Sequence, residues 1–128
     1  MRRASREIVF KLLFEYSFQN EKNDQTKDLM LMDSDMTEED KEYIEKTYYG
    51  VVDNIETIKK TLADNITGYT MDRIYRSDLV ILEMAAYEIS EASVPQAVII
   101  NEAVDLAKKY GTDKSGGFVN AVLAKLAK

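Results

Sequence analysis

The sequence predicts an all-α fold, a compact single-domain helical bundle of about five main helices with short helical turns between them. Apolar residues recur at helical spacing through most of the 128 residues. Strand signals are scarce, because the one β-branched run, residues 98–100, leads directly into a helical pattern. Proline and glycine lie where helices should begin and end. The length suits one domain, residues 1–128, around one core.

The first half predicts two main helices. The first should span about residues 3–19, because one stripe gathers its apolar side chains, Ile8, Val9, Leu12, Leu13 and Tyr16. Residues 20–36 are mostly polar and predict a connection with about one turn of helix. Thr37 and the acidic residues after it are typical of a helix start. That second helix should continue to about Asn65, with Gly50 either weakening it or allowing close helix contact.

The second half predicts three more helices. A short turn over residues 71–74 should precede a helix capped by Ser77, and residues 79–89 are apolar on almost every side, which predicts the centre of the bundle. After Pro95 a fourth helix should run to Gly111, with an inward stripe of Ile100, Ala103, Val104 and Ala107. The fifth should bury Phe118, Val119, Val122, Leu123 and Leu126.

Composition excludes several classes of function. With no cysteine and no histidine, the chain has no disulfide, thiolate chemistry or Cys/His zinc site. No apolar run reaches the length of a membrane span and no signal peptide is apparent, so we expect a cytoplasmic protein without membrane contact. No catalytic motif occurs, so neither an enzyme nor a cofactor is expected. The carboxylates lack the order of a calcium loop and predict a solvated acidic face, made of Asp33, Asp35, Glu38, Glu39, Asp40 and Glu42.

The basic N-terminus is the clearest candidate for an anionic partner. The net charge of −6 argues against a general nucleic-acid binder. The charge is uneven, however, because residues 1–20 carry 4 basic and 2 acidic side chains, whereas residues 21–64 carry 6 basic and 13 acidic ones. Guanidinium groups suit phosphates and base edges, and positive charge opposes the dipole at a helix start, which favours a binding role. The candidate RNA-binding residues are Arg2, Arg3, Arg6 and Lys11, and the alternative is a solvated basic end that aids solubility.

A second candidate site lies before the last helix. Residues 114–117 predict a glycine loop that leads into Phe118. Backbone N–H groups at a helix N-terminus accept phosphates, and an aromatic ring offers a surface for base stacking. Lys114, Ser115 and Phe118 are therefore candidate RNA-binding residues. The alternative is that the glycines form a tight turn and Phe118 is a core residue.

Several segments together resemble the NusB family of bacterial transcription antitermination factors. The resemblance covers most of the chain and rests on Arg6 and Glu7 in the first helix; Arg76, Ser77 and Asp78, followed by Ile81 and Leu82; Ala-Ala-Tyr-Glu-Ile at 85–89; Val94 and Pro95; Ile-Asn-Glu-Ala at 100–103; and Phe118, Val119 and Asn120. It implies an all-helical, non-catalytic protein. It also implies that boxA-type single-stranded RNA binds the arginine-rich first helix and neighbouring loops.

The resemblance further implies protein partners. These are the small-subunit ribosomal protein NusE, RNA polymerase within an antitermination complex that transcribes ribosomal RNA, and in some relatives a second copy of the chain. Asp78 and Glu83 occupy the stretch where the family meets NusE. Two positions depart from the family pattern: Ala97 replaces a common basic residue, and Lys114 replaces a common acidic one. One basic contact has therefore moved along the chain in this interpretation.

One other function stays open, and a second is not expected. The chain is alternatively a helical protein-interaction or oligomerisation module, whose arginines meet acidic proteins without direct RNA binding. NusB-like domains also occur attached to RNA methyltransferases. The length of 128 residues leaves no room for a catalytic domain, so we do not expect that arrangement.

Overall fold

The computed structural model describes residues 2–32, 35–68 and 70–127, and describes the backbone alone at Arg2. This part of the chain contains no β-strand and confirms the all-α prediction. Its elements are α1 (Arg2–Gln19), α2 (Asp24–Met30), α3 (Glu38–Asp53), α4 (Ile55–Asn65), a 3-10 helix (Met71–Arg73), α5 (Arg76–Glu91), α6 (Gln96–Tyr110) and α7 (Ser115–Leu126). Among these residues, no helix is long and apolar enough to cross a membrane.

Helix α5 is the centre of the bundle, as the sequence predicts. It packs against α1, α3, α4, α6 and α7. The residues from Val80 to Tyr87 are all buried, because helices cover α5 on nearly every side. Any polar group between Val80 and Tyr87 is therefore drawn into the core or held at a groove between helices.

The predicted second helix is two helices. A capping box between Thr37 and Asp40 begins α3 where the sequence predicts a start. The prediction of continuous helix to Asn65 is wrong, because α3 ends at Asp53 and α4 begins at Ile55. The Asn54 side chain donates a hydrogen bond of 2.8 Å to the Gly50 carbonyl, so it competes with the helical backbone. The apolar residues keep their helical spacing across this break, so hydrophobic periodicity alone does not reveal it.

Gly50 allows α3 and α5 to approach closely. A Cβ atom at this position would collide with the ring and hydroxyl of Tyr87. The interpretation of Gly50 as a site of close helix contact is therefore confirmed.

Two predicted helix starts are wrong by two to three residues. Helix α5 begins at Arg76, so Ser77 lies in its first turn and not at the cap. Helix α7 begins at Ser115, so Gly116 and Gly117 form its first turn in place of the predicted loop. Gly116 packs against Lys108 of α6, where an added Cβ would lie 3.3 Å from Lys108 Cγ. Close packing therefore explains this glycine better than a tight turn.

The remaining differences concern single faces of helices. Residues 20–36 contain α2, a helix of 7 residues that is capped by Asn23, where the sequence predicts about one turn. The inward face of α6 is rotated, because Ile99 and Leu106 are buried while Ile100 and Val104 are half-buried. In α7, Phe118 and Leu126 are half-buried at the margins of the core.

Candidate nucleic-acid interface

Arg3 lies on the surface near the start of α1 and is paired with two carboxylates of α6. Its Nε and Nη2 atoms donate hydrogen bonds of 3.2 and 2.8 Å to Glu102. Nη2 also contacts Asp105 Oδ2 at 2.9 Å. The hydrogen bond from Arg3 holds the pKa of Glu102 below its ordinary value. Since the Arg3 side chain is 65% exposed, phosphate oxygens can reach it, but they compete with both carboxylates.

Arg6 is buried, which corrects the expectation that it belongs to a solvent-facing basic cluster with Arg2, Arg3 and Lys11. Its Nε and Nη2 atoms donate hydrogen bonds of 3.2 and 3.1 Å to Glu88 of α5. Tyr43 of α3 donates a further bond of 3.1 Å to the same carboxylate. Burial is the largest single effect and lowers the pKa of the Arg6 guanidinium. The hydrogen bond to Glu88, together with the charge interactions with Tyr43, Glu88 and Glu102, outweighs it, so the pKa is raised. Direct contact of Arg6 with RNA stays a prediction.

The other two members of the predicted basic cluster lie apart from this pair. Lys11 is exposed on α1, and no acidic side chain among the described residues forms an ion pair with it. The side chain of Arg2 lies outside the described part of the chain. The basic end of α1 therefore presents Arg3 and Lys11 to solvent.

A groove at the start of α7 gathers the second set of predicted residues. Its volume is about 560 Å³, and it is lined by Arg73, Ile74, Tyr75, Asp78, Thr112, Asp113, Lys114, Ser115 and Phe118. The side chain of Tyr75 is 63% exposed, and Lys114 is also exposed. The groove thus combines two cations with aromatic surface. Sequence reasoning missed Arg73, which lies in the turn of residues 71–74 that it placed before the central helix, and Tyr75, which directly follows that turn.

Asp78 and Ser115 form a buried link at the base of this groove. Ser115 Oγ accepts a hydrogen bond of 2.8 Å from the Thr112 backbone and donates one of 3.1 Å to Asp78 Oδ2. Asp78 Oδ1 is buried and has no hydrogen-bond partner within the described part of the chain. Burial raises the pKa of Asp78, and the bond from Ser115 acts in the opposite direction. Asp78, which was predicted to contact the protein partner, therefore lies beside Ser115, which was predicted to contact RNA.

Glu83, the other predicted partner residue, lies away from Asp78. It is 5% exposed and lines a different cavity together with Lys59 of α4. Burial raises the pKa of Glu83 to about 7, which the positive charge of Lys59 only partly opposes. The structure therefore does not bring the two predicted partner residues together.

An exposed aromatic face lies at the end of α1. Phe18 is 60% exposed, and the Arg76 guanidinium lies 4.1 Å from its ring centroid. Arg76 also donates a hydrogen bond of 2.8 Å to the Ser17 carbonyl, which fixes it against the ring. Phe14 packs edge-on against Phe18 at 5.2 Å between ring centroids. The spacing of residues 10, 14 and 18 was a signal for this face that sequence reasoning did not use.

The comparisons with known proteins agree in family and fold. The profile of the NusB family matches residues 3–128. The chain is 39% identical over 126 residues to the transcription antitermination protein NusB of Agathobacter rectalis, covering 95% of each sequence. It is 40% identical over 128 residues to that of Acetivibrio thermocellus, covering 99% of this chain and 88% of the relative.

Two solved structures extend this similarity to the fold. The T. maritima NusB structure superposes with a TM-score of 0.87 at 30% identity, covering 99% of this chain and 90% of the other. Antitermination factor NusB in a complex with NusE and double-stranded RNA superposes with a TM-score of 0.86 at 23% identity, covering 98% of this chain and 95% of the other.

Proposed function

The chain belongs to the NusB family, and we propose from this that it acts as a non-catalytic antitermination factor in the cytoplasm. It binds boxA-type single-stranded RNA together with NusE while ribosomal RNA is transcribed, within an RNA polymerase antitermination complex. The observation that carries the proposal is the family match over residues 3–128.

The RNA surface in this proposal has two parts. The first is the groove at the start of α7, where Lys114 and Arg73 attract phosphates while Tyr75 and Phe118 offer rings for base stacking. The second is the basic end of α1 with Arg3 and its neighbours, where the RNA backbone competes with carboxylates. Aromatic rings beside cations favour single-stranded RNA, because the bases of a duplex are already stacked.

NusE is the proposed protein partner. The net charge of −6 and the acidic segment 21–64 favour a basic partner. The aromatic face of Phe18 and Arg76, close to the cavity of Glu83, offers apolar surface beside charge. A basic partner bound here adds positive charge to the complex, which compensates for the few exposed cations of this chain.

Titration of labelled boxA RNA, with and without NusE, tests the function. The groove variant Tyr75→Ala with Lys114→Ala should weaken RNA binding at least about tenfold, since base stacking alone contributes about 1 to 3 kcal/mol. Lys125→Ala, at the other end of α7, removes the same charge and serves as the matched control. Equal RNA affinity of the groove variant and the control contradicts the assignment of the groove.

Self-association is the second candidate. Leu29 and Met32 are 65% and 76% exposed, and such apolar side chains favour contact between copies of the chain. Light scattering across a concentration series measures this, and RNA titration of each species shows whether a homodimer hides the RNA surface.

A further inference from the structure

A cavity of about 290 Å³ opens between α1, α4, the 3-10 helix and α5. Glu83 of the central helix lines it, and its side chain is 5% exposed. Among the described residues, no hydrogen bond or ion pair engages the Glu83 carboxylate. The cavity therefore contains an acidic group that the protein itself leaves unpaired.

An unpaired buried carboxylate is unfavourable, because burial removes water without supplying a counterion. Natural cores keep such a group when another molecule completes the pair or when the group can become neutral. Leucine or methionine would fill the same volume on α5 without this penalty. The unpaired acid thus indicates a site for a positively charged group.

The other charged and titratable groups facing the cavity do not neutralise Glu83. Tyr16 faces it from α1, Lys59 from α4, Asp72 from the 3-10 helix and Arg76 from α5. Arg76 is engaged by the Ser17 carbonyl and the Phe18 ring. Lys59 is exposed and forms no ion pair among the described residues. Its side chain can therefore turn toward solvent when a cationic group of another molecule enters the cavity.

We propose that this cavity is a socket for one lysine or arginine side chain of the protein partner, with Glu83 as its counterion. The inference rests on the proposed function and names a contact of its partner surface. Arg76 lines the cavity and also covers Phe18, so the socket is continuous with the exposed aromatic face. An extended basic side chain anchored beside an apolar contact suits a protein better than a free small cation.

The socket makes partner binding depend on pH. Burial raises the pKa of Glu83 to about 7. Because only the ionised carboxylate attracts a cation, affinity should rise by about tenfold from pH 6 to pH 8. Binding of the cation should in turn lower the pKa of Glu83.

Calorimetric titration of the full chain with purified NusE at pH 6, 7 and 8 tests the socket. Glu83→Gln keeps the shape of the side chain and imitates its neutral form. It should bind NusE about as well as the wild type at pH 6 and at least about tenfold more weakly at pH 8. Glu38→Gln makes the same charge change on a side chain that is 86% exposed and should follow the wild type. Circular dichroism verifies the folding of each variant.

The outcomes separate the socket from the proposed function. If the wild type does not bind NusE at any of these pH values, both the proposed partner and the socket are overturned. If NusE binds and Glu83→Gln keeps the affinity and pH dependence of the wild type, the socket alone is overturned. Carboxyl-selective NMR adds a direct measurement: NusE should lower the pKa of Glu83, and a shift caused by boxA RNA alone overturns the assignment to a protein.

Discussion

Arg6 and Arg3 lie on the same helix, yet their surroundings give them different roles. Glu88, the partner of Arg6, is 82 residues away in sequence and reaches it from the buried central helix. Glu102, the partner of Arg3, is 99 residues away and lies half-buried on α6, where it meets the exposed Arg3 side chain. The spacing of arginines in a sequence contains no information about such distant partners. For this reason the sequence predicted a basic N-terminus correctly but could not predict which arginine is buried.

Arg6→Met should destabilise the protein strongly. The substitution leaves Glu88 buried with Tyr43 as its remaining hydrogen-bond donor among the described residues, and loss of one member of a buried ion pair typically costs about 3 to 5 kcal/mol. Urea unfolding measures the free energy of unfolding. Arg3→Met is the matched control, and it should change stability little because its ion pairs are exposed. Similar unfolding midpoints for the two variants would contradict the structural role of Arg6.

At the scale of elements, the helical type of the elements follows from the sequence, whereas their number and some boundaries do not: the described residues form seven α-helices and a 3-10 helix, where the sequence predicts about five main helices. Hydrophobic periodicity predicted the first helix and the buried α5, because both depend on which residues face the core. The break at Asn54 depends on a side chain that competes for one carbonyl, and periodicity does not register that competition. The start of α7 depends on Ser115 contacting Asp78 of another helix. Contacts between elements thus set the boundaries that local signals missed.

Gly50→Ala should destabilise the bundle, although alanine normally stabilises a helix interior. The added methyl group would collide with the Tyr87 ring, which is 8% exposed and has little space to move. Overpacking of this kind costs about 1 to 3 kcal/mol, which exceeds the gain in helix propensity of about 1 kcal/mol. Thermal unfolding measures the net effect, and Tyr87→Leu in the same chain should restore part of the loss. A higher melting temperature for Gly50→Ala alone would show that α3 and α5 are not in close contact there.

At the scale of the whole molecule, the predicted candidate residues form separate surfaces. The basic end of α1, the groove of α7 and the cavity of Glu83 lie around the central helix. The sequence identified members of all three, but it grouped Asp78 with Glu83, five residues away on the same helix. The structure instead places Asp78 beside Ser115 of α7. Neighbours in sequence on a helix that is covered on nearly every side face different partners, so tertiary packing decides which surface each one joins.

The buried acid of this molecule should make its stability depend on pH. Folding raises the pKa of Glu83 from 4.5 to about 7, so the native state binds this proton more tightly than the unfolded state does. The free energy of unfolding should therefore fall as the pH rises from about 4.5 to about 7, by about 3 kcal/mol, and stay lower above that range. Glu7 and Glu102 have lowered pKa values, so their ionised carboxylates stabilise the native state at neutral pH. This stabilisation is lost as the pH falls through those lowered values.

The substitution Glu83→Gln should prevent most of this decrease in the free energy of unfolding at alkaline pH. The variant should be more stable than the wild type by about 3 kcal/mol at pH 8, and the difference should vanish at about pH 3, where the wild-type carboxyl is neutral in both states. Urea unfolding across this pH range measures the effect, with Glu38→Gln as the control for net charge. A difference that is the same at every pH would mean that Glu83 does not titrate as a buried acid. A variant that gains stability at pH 8 while losing affinity for NusE would show that the wild type keeps an unfavourable charge for binding.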